Sequence, residues 1–98
     1  MKLELEFDIT KIEDNSVEGT WRMSDKRHRG MMQEFIARHI TTDDAIMEKW
    51  GMDSPLAHER MTRDSCVSLY TEDGEFFSDG VRSGVFRATH PYWPPWRD

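Results

Sequence analysis

A single cysteine, Cys66, stands in this chain of 98 residues, so no internal disulfide can form. Small secreted domains commonly depend on such bridges, which points away from an oxidising compartment. Long apolar runs are missing too. The opening Met-Lys-Leu-Glu-Leu-Glu lacks the hydrophobic stretch of a signal peptide, and no segment approaches membrane-spanning length. A cytoplasmic protein without membrane contact is expected. Aliphatic side chains are scarce: Leu, Ile, Val and Phe total 18 against a net charge of −6, a balance that by itself suggests disorder. Seven Met and four Trp offset the shortage, so one small domain with a methionine- and aromatic-rich core is expected. Internal repeats, catalytic signatures and cofactor motifs are also lacking, and the chain reads as a non-enzyme with no cofactor.

The last nine residues stand apart from the rest. His90-Pro91-Tyr92-Trp93-Pro94-Pro95-Trp96-Arg97-Asp98 packs three aromatics and three prolines into a stretch unsuited to a helix interior or a central strand. Residues 1–89 are read as one domain and 90–98 as its tail. Aromatic rings are costly to leave in water, so the tail either folds back on a thin core or is held out for a partner. Tyr92, Trp93, Pro94, Pro95 and Trp96 are candidate partner-binding residues, because Trp and Tyr dominate binding hot spots. Pro91-Tyr92-Trp93-Pro94 has PxxP spacing, although its aromatics fit an SH3-type groove poorly. The His90-Pro91 and Trp93-Pro94 bonds also make a prolyl isomerase a candidate partner.

Hydrophobic periodicity predicts the elements before the tail. Residues 2–9 alternate strictly, with Leu3, Leu5, Phe7 and Ile9 on one face and Lys2, Glu4, Glu6 and Asp8 on the other. Glu13-Asp14-Asn15-Ser16 is turn chemistry, and Val17, Gly19, Trp21 and Met23 alternate again, giving a hairpin over 2–23. Met31, Met32, Phe35, Ile36, His39 and Ile40 fall at helical spacing, with Gln33, Glu34 and Arg38 opposite. A second helix opens at Thr41-Thr42-Asp43-Asp44 under a threonine cap, buries Ile46, Met47 and Trp50, and stops at Gly51. Ser54-Pro55 starts a third, turning Leu56, Ala57 and Met61 inward. Strand character returns at Val67, Leu69 and Tyr70, followed by a Glu72-Asp73-Gly74 turn, Glu75-Phe76-Phe77 and a last strand at 81–88. The expected fold is α+β: two antiparallel β-hairpins in one sheet, with two or three short helices inserted between them and packed on one face.

Charge is segregated along the chain. Residues 1–18 carry six acids against two bases, whereas residues 19–30 carry four bases against one acid. Lys26, Arg27 and Arg29, with Arg22 and His28, form the candidate basic patch, suited to an acidic protein surface or to phosphates. Four bases in an acidic chain make direct nucleic-acid binding the secondary function. A helix-turn-helix reading fails because Asp43, Asp44, Glu48, Asp53, Glu59 and Asp64 would meet phosphate with the wrong sign. Glu4, Glu6 and Asp8, about 6–7 Å apart along a strand, approximate phosphate spacing, but an ordinary charged edge explains them more simply. His28, His39, His58 and His90 share no metal-ligand spacing, and His39 is expected to pack in the core. Cys66 has no catalytic signature around it, and His58 is its one candidate base.

In brevity, in acidic strands such as Leu3-Glu4-Leu5-Glu6-Phe7-Asp8, and in its abundant Met and Trp, the chain resembles the small acidic proteins with which bacteriophages inhibit host DNA-processing or defence enzymes. The resemblance is one of style and is carried by no motif. It implies a protein-binding module that occupies a surface of a larger host protein or complex and inhibits or modulates it.

Overall fold

The computed structural model describes residues 4–51, 54–63, 66–70 and 83–91. Strict alternation produces β1 (Leu5–Ile12), and a turn at residues 13–15 returns the chain as β2 (Ser16–Met23). A 3-10 turn at Lys26–His28 leads into three helices, α1 (Arg29–Ile40), α2 (Asp44–Trp50) and α3 (Ser54–Arg63). Strands β3 (Val67–Tyr70) and β4 (Ser83–Thr89) complete an antiparallel sheet in the order β1-β2-β4-β3. The fold is α+β, as the periodicity predicts, with the helices packed on one side of the sheet. No helix among the described residues is long and apolar enough to cross a membrane.

Register shows how the inner face is built. Trp21 stands opposite Phe7 and Gly84, Gly19 opposite Ile9 and Phe86, and Val17 opposite Ile12 and Ala88. Leu69 and Val67 continue the rows beside Phe86 and Ala88. Phe86 is 1% exposed and lies across Gly19, where an added Cβ would run into the Asp8 carbonyl oxygen and come within 2.6 Å of the Phe86 ring. The indole of Trp21 extends across the Gly84 position, and its Nε1 donates to the carbonyls of Val85 (2.8 Å) and Tyr70 (3.0 Å). A bulky donor thus ends inside the core with its hydrogen bonds satisfied.

Several expectations need correction. β1 runs on to Ile12 through a register shift between Ile9 and Lys11, which returns Lys11 to the outer face and Ile12 to the inner one. Helix α1 is rotated from its expected face: Met32, Ile36, Ala37 and Ile40 are buried, while Met31 and Phe35 are 41% and 44% exposed. The apolar arc Met32, Ile36, Ala37 and Ile40 packs inward, and Gln33, expected outside, lies at its border, where its Nε2 donates to the Val67 carbonyl at 2.8 Å, which lets this face of α1 lie against β3. The cap of α2 is Asp43, which accepts from the Ile46 amide at 3.1 Å, not a threonine. Thr41 and Thr42 instead turn back, donating to carbonyls at the end of α1. Met47 is only half-buried, and Leu56 faces outward at 48% exposure while Ala57 and Met61 are buried. The expected Asp-Gly turn and the strand at 75–77 lie outside the described residues, and the described partner of β3 is β4.

Replacing Gly19 with alanine forces the Phe86 ring or the β1 backbone to move. Gly19→Ala is expected to cost about 1–3 kcal/mol, the range for overpacking a tight core, with Thr20→Ala on the open face near neutral. Urea unfolding of the two variants checks this, and equal midpoints would contradict the close approach.

Candidate functional site

Two of the basic residues picked out by sequence, Arg22 and Arg27, are paired with acids of the chain itself. Arg22 lies on the open sheet face with its Nη2 3.2 Å from Glu6 Oε2, across the β1–β2 register from Glu6. Arg27 folds back on Asp25: Nη2 and Nε donate to Oδ2 at 2.7 and 3.0 Å, and the Arg27 amide donates to Oδ1 at 2.9 Å. Those bonds, the side-chain ones foremost, hold the Asp25 carboxyl well below the usual carboxylate range. Arg29 is half-buried at the start of α1, and the Lys26 side chain lies outside the described residues. The grip on Asp25 occupies the Arg27 fork that a phosphate would need.

Nor is the outer sheet face a run of acid. Glu6 pairs with Arg22, Glu18 Oε1 lies 3.8 Å from Arg87 Nε, and Lys11 Nζ lies 2.9 Å from Glu13 Oε1. Signs alternate across neighbouring strands, so the phosphate-like spacing of Glu4, Glu6 and Asp8 is confined to β1. Among the described residues no group of three His, Cys, Asp or Glu side chains is placed to hold a metal ion.

The margin of the sheet is different in character. Among the described strands β1 is an outermost one, and its inner residues Leu5, Phe7, Ile9 and Ile12 are only half-buried, whereas Val17, Trp21, Met23, Phe86, Ala88, Val67 and Leu69 are at most 2% exposed. The helices cover β2, β4 and β3 and leave β1 partly bare. A groove of about 660 Å³ results, lined by these four apolar residues together with His39, Asp43 and, at its rim, Glu6 and Asp8. His39 is therefore no core histidine. Its exposed ring meets Phe7 edge-on at 5.2 Å, and its Nε2 lies 3.8 Å from Asp43 Oδ2. The rotation of α1 that pulled Gln33 inward pushed His39 out. Met31 and Phe35, eight and four residues earlier, lie on the same side of α1 and extend its apolar flank.

The tail is rooted beside the turn end of this groove. The His90 amide donates to Asn15 O at 2.9 Å, and Pro91 is fully buried. The His90 ring packs on Trp50 with centroids 5.4 Å apart, and its Nε2, facing a carbonyl that can only accept, donates to Trp50 O at 3.2 Å. Trp50 Nε1 in turn donates to the carbonyl of Glu13, the residue after Ile12. His90 and Pro91 thus belong to the folded body. Tyr92, Trp93, Pro94, Pro95 and Trp96 lie outside the described residues.

Sequence reasoning named Leu5, Phe7 and Ile9 as an inner face but did not find the groove. Alternation reports that a strand is half-buried, not that it stands at the sheet's edge. No family model matches the chain, and neither a curated protein nor a solved structure matches it.

Because the folded state lowers the Asp25 pKa, the stabilisation it brings is complete above the ordinary aspartate range and is lost only as pH falls through the lower folded value. An NMR titration is expected to find the Asp25 carboxyl still ionised at about pH 3.9, the usual aspartate midpoint. Titration at that ordinary midpoint would show that Arg27 is free in solution.

Proposed function

We propose that this chain is a non-enzymatic protein-binding module, acting in the cytoplasm, that docks on a larger protein and inhibits or modulates it. The observation behind the proposal is the groove along β1, whose apolar floor of Leu5, Phe7, Ile9 and Ile12 is left partly uncovered by the described helices and is flanked by the outward Met31 and Phe35. A small domain short of aliphatics that leaves six large apolar side chains partly wet along one margin gives up stabilisation there. A partner that covers them recovers it. Tyr92, Trp93 and Trp96 supply a second set of anchors, since the tail leaves the body at the turn end of the same groove. The partner class suggested by the resemblance to small acidic phage proteins is a bacterial nucleic-acid-processing or defence enzyme. Arg27 is engaged by Asp25 and Arg22 by Glu6, which leaves the basic loop a minor contact and weighs against direct nucleic-acid binding.

Affinity capture from a bacterial lysate tests the proposal. Phe35→Asp is expected to weaken capture of a specific protein by about tenfold or more, the scale of a lost hot spot, with circular dichroism unchanged. Leu56→Asp, at an exposed apolar position on α3 that does not line the groove, is expected to leave capture intact. Truncation belongs after Pro91, because His90 and Pro91 are structural. Capture that survives Phe35→Asp ends the proposal.

A further inference from the structure

We infer that β1 receives an extended segment of its partner as an added strand, and that this segment alternates apolar with basic residues. The inference rests on the docking module proposed above and names the chemistry of its occupant. Three features converge on it. No strand among the described residues pairs with the outer edge of β1, so alternate backbone N–H and C=O groups of Leu5–Ile12 face outward, evenly spaced up to the register shift between Ile9 and Lys11. Along that edge runs the groove, floored by Leu5, Phe7, Ile9 and Ile12, walled by the His39 side of α1 and rimmed by Glu6 and Asp8. An added strand would send every second side chain into this groove.

Its remaining side chains would lie on the open sheet face beside Glu4, Glu6 and Asp8. Glu6 already meets Arg22 from β2, so the sheet itself sets a base beside an acid at this row. A partner strand with Lys or Arg continues the alternation of sign, and the net charge of −6 attracts it from solution. The same acids work against a second copy of this chain. In an antiparallel β1–β1 pairing that keeps the two apolar faces on one side and is centred on residue 5, 6, 7 or 8, at least one of Glu4, Glu6 and Asp8 faces an acid of the other copy, which is unfavourable. The edge is thus closed to itself and open to a basic strand.

Two synthetic heptapeptides test this, Lys-Ile-Arg-Val-Lys-Ile-Arg and its twin with Glu at each basic position. They are titrated into the full chain while backbone amide shifts are followed by NMR. The expected result is saturable binding of the basic peptide with shifts centred on residues 5–12. Expected with it are a more than about tenfold loss in Glu6→Lys/Asp8→Lys and no binding of the acidic twin. N-methylation of the amides facing β1 should abolish binding, since strand addition needs them as donors. The inference is overturned by no binding of the basic peptide at about 1 mM. Equal binding of the twin, shifts confined to residues 26–29, or a dimer through β1 in sedimentation also overturns it. So does binding seen only after residues 92–98 are deleted with β1 shifting on deletion, because the groove then belongs to the chain's own tail. Natural-partner capture lost in Phe35→Asp but kept in the double charge reversal overturns the basic strand while leaving the docking module standing. Capture indifferent to both removes the two together.

Discussion

The fold depends on the way Trp21 is accommodated. Its indole reaches from β2 across the position of Gly84 to the carbonyls of Val85 and Tyr70, so one side chain joins the first hairpin to both later strands. A buried N–H without a partner would cost about 1–3 kcal/mol, and here it has two. One row away, Phe86 crosses the bare backbone of Gly19. Two large aromatics thus lie over two glycines, and a chain with few aliphatics fills its centre with ring area. The core forms over β2, β4 and β3, where those rings are, and the helices follow it. Gln33 fixes α1 there through the Val67 carbonyl. What is left for β1 is the margin.

Much of this was legible from residue order, and the limits fall at identifiable residues. Alternation in Leu5-Glu6-Phe7-Asp8-Ile9 and in Val17 to Met23 shows two strands, and the Asp43-to-Gly51 stretch shows a helix with its stop, Gly51 taking φ 63° as an αL cap. The face of α1 was not legible. Met31, Met32, Phe35 and Ile36 span a wide apolar arc, and which part is buried is settled by packing, with Gln33 at its border finding a carbonyl 34 residues away. Long-range hydrogen bonds leave no local trace. The same holds for His39, whose apolar neighbours suggest a core position that the rotation of α1 denies it. The candidate site followed suit: its strand residues were visible as a strand, while its edge position and its α1 wall are properties of strand order and helix rotation.

Charge on β1 takes a different meaning once strand order is known. On a central strand Glu4, Glu6 and Asp8 would be a solvated outer face and nothing more. On an edge, beside an apolar groove, they decide what can pair there. An uncharged edge with this groove would invite strand-to-strand aggregation, because its backbone is unpaired and its inner face is wet. Acids on alternate residues raise the cost of self-pairing at each like-charged contact while leaving the backbone available. In the proposed docking, protection against self-pairing and choice of partner come from the same side chains.

The turn end of the groove is set by contacts that also hold the end of β4. Trp50 Nε1 fixes α2 to the Glu13 carbonyl, and His90 fixes the end of β4 to Asn15 and Trp50, so strand end, helix end and hairpin turn meet at one place. Ile12 directly precedes Glu13, so the apolar row of β1 ends against this junction. Pro91, buried beside it, belongs to the same junction and not to a separate tail. A change at Trp50 or His90 therefore bears on the Ile12 end of the groove before it bears on the core under β2, β4 and β3.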